Sequence, residues 1–422
     1  MLQGRRSLMR FHRTTAIRYR PDEVVTVAPD EAPPLEAGLT PSEKQRLLDA
    51  AAGLYATGVY PGVSLCVLRR GEVVIDRAWG HVRGNGPDDR PETPKAALTP
   101  ASPICIFSAS KAITGMLVHH FDDRGLLHVD DRVVDHIPAF GRHGKDRVTL
   151  RHLLTHRAGL PSVQAQFGLE ILHDEAAVLE VICDQKLSTA PGRRLAYHAI
   201  TGGFVLGEIL RRVTGKTMPE LLEEVIRRPL GLQAMRFGWY ADRLHEVAEN
   251  AFTGYPVPAP VQWAAKRSFG ARFEDAATIA NTPEWLTSVV PSGNIVSTAR
   301  DTARFFEMLR LEGELDGVRV FQPRTVRRAL IESAYLELDL AIGVPIRQGS
   351  GMMLGQWPFG IFGPDSPKAF GHLGFTNILA WADPERALSV ALLTTGKPLF
   401  SNHILALARF LYEMSRTCRK VG

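Results

Sequence analysis

The sequence is poor in cysteine and has no long apolar run. Its four cysteines, at positions 66, 105, 183 and 418 of 422 residues, are too few to stabilise the fold through disulfides. They also lack the spacing of metal ligands. Four scattered cysteines are typical of a reduced, intracellular chain, and we expect a cytoplasmic protein. No apolar stretch approaches the ~18 residues of a membrane span. No Gly-rich phosphate loop or dinucleotide fingerprint is present, so we predict no cofactor.

Positive charge is concentrated at the N-terminus. The net charge is +5, and residues 1–20 contain six arginines and no acid, so the rest of the chain carries 5 − 6 = −1. A near-neutral body argues against nucleic acid as a partner. The arm lacks the apolar stretch of a secretory signal, whereas an Arg-rich, acid-free start also fits an organelle transit peptide. A solvated or packed N-terminal extension is the favoured interpretation.

The hydrophobic pattern predicts strands near both ends of the chain and helices between them. Residues 63–68 and 73–78 predict a β-hairpin, and further strands are indicated at 371–382 and 388–395. Residues 130–285 are mostly helical in pattern, with irregular covering segments at 238–290. We therefore expect a basic extension over 1–40, an α/β domain over 41–125 and 286–422, and a mainly helical domain over 126–285. Catalytic chemistry would lie between the two domains.

Several common catalytic motifs are missing. None of the 18 serines lies in Gly-x-Ser-x-Gly, which excludes the α/β-hydrolase nucleophile elbow. His152 and His156 have the i, i+4 spacing of two metal ligands on one helix face. No Glu follows His152, and the neighbouring leucines indicate packing, so we predict no metal site.

One Ser-x-x-Lys is present, from Ser108 to Lys111. On a helix this spacing puts both side chains on one face. A serine hydroxyl needs a neighbour that takes its proton, and a desolvated lysine can do so. The alternative is an N-cap serine beside an exposed lysine. The apolar segment at 104–107, directly before the motif, favours a catalytic role. A serine at the N-terminus of a helix also places its own N–H where an oxyanion would form.

Around this motif the chain resembles the serine β-lactamase/penicillin-binding superfamily, in particular class C β-lactamases, D-alanyl-D-alanine carboxypeptidases and family VIII carboxylesterases. Family VIII esterases are the most similar branch. The resemblance covers about residues 45–415 and includes four further blocks in the family's order, at 153–161 (LLTHRAGLP), 191–215, 291–301 (PSGNIVSTARD) and 371–386. It implies a β-lactamase-like α/β plus α fold, with an antiparallel sheet flanked by helices and an inserted all-helical domain.

The resemblance also implies roles for individual residues. Ser108 would be the acylated nucleophile and Lys111 its proton-handling partner. Tyr197 would be the general base, with a pKa lowered by the nearby ammonium. His372 takes the place of the lysine in the family's Lys-Thr-Gly motif. After Gly374, the Phe375 N–H would be the second oxyanion donor beside that of Ser108.

One departure from the family pattern concerns the substrate. The family's Tyr-x-Asn motif ends here in Ala199, and in lactamases and carboxypeptidases that Asn binds the substrate's amide. The missing Asn and the missing export signal favour an ester substrate. Substrate-binding candidates are Gly374 and Phe375, and the aromatic residues Trp239, Trp263, Trp285 and Trp357.

The sequence therefore predicts a serine carboxylesterase that cleaves small carboxylic esters through an acyl-enzyme. A β-lactamase or D-alanyl-D-alanine carboxypeptidase-type amide hydrolase on the same fold is the first alternative. A non-catalytic ligand-binding or scaffold protein is the second. The expected partner is a small-molecule ester, and the oligomeric state stays open.

Overall fold

A computed structural model describes residues 12–162 and 169–421. Its strands in chain order are β1 (Val25–Val27), β2 (Gly62–Arg69), β3 (Glu72–Arg83), β4 (Ala96–Ala97), β5 (Ile104–Cys105), β6 (Val296–Ser297), β7 (Glu314–Leu315), β8 (Val318–Arg319), β9 (Ala334–Leu338), β10 (Pro345–Gln348), β11 (Met353–Leu354), β12 (Phe359–Gly360), β13 (Gly363–Pro364), β14 (Phe370–Gly374), β15 (Ile378–Asp383) and β16 (Leu388–Thr394). Ten of them form one antiparallel sheet in the order β1-β3-β2-β16-β15-β14-β11-β10-β9, with β4 paired to β3.

Helices cover the sheet and fill the middle of the chain. They are α1 (Pro41–Ala56), α2 (Ser110–Asp123), α3 (Val133–His136), α4 (Leu150–Leu154), α5 (Glu175–Asp184), α6 (Thr201–Thr214), α7 (Met218–Leu222), α8 (Ala259–Phe269), α9 (Phe273–Ile279), α10 (Pro283–Thr287), α11 (Ala299–Arg310), α12 (Pro323–Ala329) and α13 (His403–Thr417). Among the described residues, no helix is both long and apolar enough to cross a membrane.

Local sequence signals explain the first helix and the first hairpin. Thr40 and Glu43 form a capping box, in which the Glu43 N–H donates to the Thr40 hydroxyl and the Thr40 N–H donates to the Glu43 carboxylate. The β2–β3 turn consists of Arg70 and Gly71, both with positive φ (56° and 90°). Two left-handed residues match the twist of a tight hairpin. The predicted hairpin is confirmed.

The sheet separates two apolar layers. Along β2, Val63, Leu65 and Val67 belong to the cluster that includes α1 and α13, whereas Cys66 and Leu68 belong to the cluster that includes α2 and α11. This alternation follows from the two-residue period of a strand. Both faces of the central strands are therefore buried, which positions α2 against the sheet.

The helical middle of the chain is largely as predicted, with one error. Among the described residues, 126–285 contain helices, turns and isolated bridges but no strand, although the domain boundaries at 125 and 286 stay a prediction. The irregular segments predicted at 238–290 are wrong in part, because α8, α9 and α10 form there. Pro258 stands at the N-cap of α8 and Pro283 at the first position of α10, where proline favours a helix.

Two other regions differ from the expectation. Strands β9, β10 and β11 were not predicted, and the strand predicted at 371–382 is two strands joined by a turn in which Thr376 and Asn377 have positive φ. Residues 1–11 of the basic extension, and with them most of the possible transit peptide, lie outside the described residues. The part that follows packs on the body, since the Arg13 N–H donates to the Gly254 carbonyl over 2.8 Å and β1 pairs with β3.

Candidate active site

Ser108 lies in a sharp turn between a strand and a helix. Strand β5 pairs with β6, the chain turns through a short 3₁₀ segment at Phe107–Ala109, and α2 follows directly. Phe107 has φ of +48°, a left-handed conformation that costs energy for a residue with a Cβ. Such strain is typical of functional sites, and here it stands immediately before the candidate nucleophile.

Gly374, at the end of β14, lies against this turn. A Cβ at Gly374 would be 2.5 Å from the Ile106 carbonyl oxygen, so only glycine fits. The next residue, Phe375, contacts the Phe107 ring at a centroid distance of 5.4 Å. The structure therefore brings the predicted Gly374–Phe375 segment beside Ser108.

The amine of Lys111 makes three polar contacts. Its Nζ lies 2.7 Å from the Ala199 carbonyl, 2.8 Å from the Ser292 carbonyl and 3.2 Å from Ser108 Oγ. Burial lowers the pKa of Lys111 to about 7. A neutral amine has two N–H groups, which the two carbonyls satisfy. As an ammonium, Lys111 donates to Ser108 Oγ as well, whereas as a neutral amine it has a lone pair that faces the Ser108 hydroxyl.

Tyr197 lies close to both Ser108 and Lys111. The Lys111 Nζ lies 4.9 Å from the centre of the Tyr197 ring. Burial raises the pKa of Tyr197 above its ordinary value, although a hydrogen bond with Ser108 opposes the rise. The prediction that the ammonium lowers this pKa is wrong, because burial acts more strongly on the phenol and also favours neutral Lys111.

A buried carboxylate holds the backbone of Tyr197 in place. Asp339 Oδ1 accepts a hydrogen bond from the Tyr197 N–H over 3.1 Å, and it also accepts from the N–H groups of Ala341 and Ile342. Asp339 follows the unpredicted strand β9. Sequence reasoning missed it, because no local motif connects it to Tyr197 across 142 positions.

Three buried histidines surround the Tyr197 ring and Lys111. His372 on β14 contacts the Leu373 carbonyl through Nδ1 over 2.6 Å, so Nδ1 carries the proton, and its Nε2 is buried without a partner. Burial lowers the pKa of His372 and of His198 to about 3, and lowers that of His156 well below its ordinary range. All three rings are therefore neutral. His372 does not supply the positive charge of the lysine that it replaces.

The other histidine considered as a metal ligand has a different role. His152 Nδ1 accepts a hydrogen bond from the Thr149 N–H over 3.1 Å at the start of α4. In the described residues no group of three or more histidine, cysteine or acidic side chains is placed to hold a metal ion.

An apolar cavity opens beside Ser108, with about 510 Å³ of space when its solvent-exposed mouth is included. Phe375 forms part of its wall and packs on Phe273 at a centroid distance of 4.6 Å. Besides Ser108, the wall includes Phe107, Ala199, Ile200, Ala276, Trp285 and Phe375. A cavity of this lining accommodates an uncharged, apolar acyl group.

The predicted aromatic residues divide into two groups. Trp285 lines the cavity, whereas Trp239 is a core residue whose indole N–H donates to the Arg243 carbonyl over 3.0 Å. Trp263 is 65% exposed on α8, and Trp357 is also exposed. Within the described part of the chain, neither Trp239, Trp263 nor Trp357 lines the cavity beside Ser108. A role of these three residues in substrate binding stays a prediction. Ile200 and Ala276 line the cavity, and nothing in their local sequence indicates this.

Known proteins are similar to this chain in sequence and in fold. The esterase/beta-lactamase LipL of Mycobacterium tuberculosis is 29% identical over 360 residues, which is 81% of this chain and 79% of LipL. A penicillin-binding protein homologue from Caulobacter crescentus has a TM-score of 0.76 at 26% identity, covering 90% of this chain and 99% of its own. A family VIII carboxylesterase structure has a TM-score of 0.76 at 25% identity, covering 92% and 100%.

The match to a family extends over most of the chain. Residues 45–412 match the family described as Beta-lactamase. These residues include the turn at Ser108, the helical middle and the central strands of the sheet. The chain therefore belongs to the beta-lactamase family.

Proposed function

We infer that this protein is a serine carboxylesterase that cleaves small carboxylic esters through an acyl-enzyme on Ser108. The observation that carries the proposal is the placement of the Lys111 amine, which has two carbonyl acceptors and the Ser108 hydroxyl as its third neighbour. The apolar cavity beside Ser108 supports an ester rather than a charged substrate. Two of the similar proteins are named as esterases, which supports the same reaction.

The contacts suggest how the proton moves during acylation. Neutral Lys111 takes the proton of Ser108 as Oγ bonds to the substrate's carbonyl carbon. The N–H groups of Ser108 and Phe375 hold the oxyanion that forms. Collapse of this intermediate breaks the ester C–O bond, and Tyr197, protonated because of its raised pKa, donates its proton to the leaving alcohol. Lys111 then returns its proton to Tyr197.

Deacylation follows the same route in reverse. A water molecule loses a proton to the Tyr197–Lys111 pair as it attacks the acyl carbon. The intermediate collapses, Ser108 recovers its proton, and the carboxylic acid leaves. The proposal thus places Lys111 as the base for Ser108 and Tyr197 as the group that exchanges protons with the alcohol and the water.

An amide hydrolase of the β-lactamase or D-alanyl-D-alanine carboxypeptidase type is the second candidate. The observation in its favour is that LipL is named for both esterase and β-lactamase activity. Against it stand Ala199 and His372. Ala199 offers the cavity a methyl group, and the neutral His372 has no charge for a substrate carboxylate.

The first prediction separates these two functions. We expect kcat/KM for p-nitrophenyl butyrate to exceed that for a chromogenic cephalosporin by about ten- to a hundredfold. A substrate amide buried without a partner costs about 1–3 kcal/mol, whereas an alkyl acyl group has no such amide. Both substrates are measured on one enzyme preparation. Ala199→Asn is expected to lower the ratio of kcat/KM for the ester to kcat/KM for the cephalosporin. A cephalosporin value within tenfold of the ester value would contradict the ester assignment.

The second prediction concerns pH. Because the proposed base must be neutral and burial lowers the pKa of Lys111 to about 7, we expect kcat/KM to fall as the pH drops below about 7. The fall reflects protonation of Lys111 in the free enzyme. Hydrolysis of p-nitrophenyl butyrate is followed at the isosbestic wavelength of p-nitrophenol.

A second buried lysine provides the control for this pH profile. Burial also lowers the pKa of Lys397 to about 7, and its Nζ lies 4.8 Å from the centre of the Phe107 ring. We expect Lys397→Met to keep the fall in rate at the same pH, provided that circular dichroism shows the variant folded. Disappearance of the fall in Lys397→Met would assign the titration to Lys397 instead of Lys111.

The proposed substrate and compartment follow from the same features. The partner is a small-molecule ester that enters the apolar cavity. All four cysteines are buried and unpaired, which supports a reducing compartment such as the cytoplasm.

A further inference from the structure

The hairpin at the end of the sheet exposes a set of large apolar side chains. Strands β9 and β10 form this hairpin, and β9 is the last strand in the sheet order. We call the exposed set the edge patch: Tyr335, Leu336, Leu338, Leu340, Ile342 and Val344. Tyr335 is 70% exposed and Leu338 is 52% exposed. Six exposed large apolar side chains within residues 335–344 form a cluster of the kind that marks an interaction surface.

The acidic residues within the hairpin make their contacts with the inside of the fold. Glu337 pairs with Arg157, and Asp339 accepts three backbone N–H groups beneath Tyr197. Just before the hairpin, Glu332 pairs with Arg347 over 2.9 Å. Asp339 is fully buried and Glu337 is paired, so among the described residues of the hairpin no unpaired carboxylate is exposed in the edge patch.

Positive charge flanks the edge patch. The Leu340 N–H donates to the Leu195 carbonyl over 3.1 Å, so the segment before Leu195 runs beside the hairpin. Arg193 and Arg194 precede Leu195 and are exposed. Neither has an acidic partner within 4.0 Å among the residues that the structure describes. Apolar side chains flanked by arginines complement an interface that is apolar inside and anionic at its surface.

The backbone of β9 disfavours pairing with another strand. Glu337 pairs with Ile346 and Ala334 with Gln348, so β9 contains one residue more than β10 between these pairs. The extra residue makes a bulge, and Leu336 within it has φ of +48°. Bulges are a common device against edge-to-edge pairing of sheets. A second copy of the chain would thus find no regular strand edge here.

We propose that the edge patch docks this protein on anionic lipid surfaces. The hydrophobic side chains enter the boundary between head groups and acyl chains, and Arg193 and Arg194 bind the phosphates. The same hairpin contacts the backbone of Tyr197 through Asp339, so a docked surface lies beside the proposed catalytic site. Esters dissolved in the lipid would then be delivered to Ser108.

The test is sedimentation of the full chain with vesicles, which needs no activity. We expect the wild type to sediment with vesicles of equal parts phosphatidylglycerol and phosphatidylcholine, and less with phosphatidylcholine alone. Leu338→Ser/Leu340→Ser is expected to lower the partition coefficient at least tenfold, because it removes apolar contact. Arg193→Gln/Arg194→Gln is expected to lower it about thirtyfold on the anionic vesicles only, from about 1 kcal/mol per arginine.

A matched control is available on the last helix. Leu405 is 78% exposed on α13, outside the edge patch, and Leu405→Ser is expected to bind vesicles like the wild type. All of these positions are exposed, so folding is retained and is checked by circular dichroism. Absence of wild-type sedimentation, or equal binding by Leu338→Ser/Leu340→Ser, overturns the proposal.

Two further outcomes are distinguishable. A wild-type dimer that becomes monomeric in Leu338→Ser/Leu340→Ser, with no vesicle binding by either, overturns the lipid proposal and assigns the edge patch to a second copy of the chain. Vesicle binding without ester hydrolysis supports the docking surface and contradicts the proposed function alone.

Discussion

Ser108→Ala is expected to lower kcat for p-nitrophenyl butyrate by about 10⁴-fold or more and to abolish covalent labelling by a fluorophosphonate. Loss of a nucleophile has effects of this size, because no other group can carry the acyl intermediate. Intact-mass measurement is the readout, with one adduct on the wild type and none on Ser108→Ala. The Ser108 side chain is not part of the apolar core, so the variant is expected to fold.

The neighbouring serine provides a control in the same turn. Ser110 Oγ donates to the Phe107 carbonyl over 2.6 Å and accepts from the Ile295 N–H over 3.1 Å, so it is buried and engaged. Ser110→Ala is therefore expected to keep the adduct, even where its melting temperature falls. An adduct that persists in Ser108→Ala and disappears in Ser110→Ala would identify Ser110, and not Ser108, as the nucleophile.

Lys111→Met and Tyr197→Phe are each expected to lower kcat by about 10²–10⁴-fold, the usual range for loss of a proton-transfer group. Lys111→Met keeps the length of the side chain but leaves the carbonyls of Ala199 and Ser292 without their donor. Some loss of stability is expected from this, so rates are measured well below the melting temperature.

The leaving group distinguishes the two roles. p-Nitrophenolate leaves without a proton, whereas an alkoxide needs one. Tyr197→Phe is therefore expected to lose more activity on an ethyl ester than on the p-nitrophenyl ester of the same acid, whereas Lys111→Met is expected to lose similar activity on both. Equal losses in Tyr197→Phe would contradict its role as the proton donor to the alcohol. Near-full activity would mean that another group exchanges this proton.

The sequence predicts those features of the site that depend on local spacing or on a family pattern. The contact of Ser108 with Lys111 follows from their spacing at the start of one helix. The position of Tyr197, 86 residues further on, was available only from the resemblance, because local patterns do not indicate which loops meet. The same holds for Gly374, whose close approach to Ile106 involves strands far apart in the chain.

Other features depend on contacts that no local pattern encodes. The pKa of Tyr197 was predicted from one neighbouring charge, whereas in the structure burial determines its direction. The cavity wall includes Ala276, an alanine with no distinguishing neighbours in sequence. Strand β9 was missed because Tyr335, Leu336 and Leu338 do not alternate with polar residues at the period of a half-buried strand. The direction of the Tyr197 pKa shift, the composition of the cavity wall and the presence of strand β9 all depend on tertiary packing.

The place of β16 in the sheet has a consequence for how the chain folds during its synthesis. This strand lies between β2 and β15, yet it begins at Leu388, 319 residues after β2 ends at Arg69. Until β16 has emerged from the ribosome, the hairpin of β2 and β3 has no partner on its inner edge. We expect folding to be slow and dominated by long-range contacts, with an aggregation-prone edge on the nascent chain that favours chaperone binding.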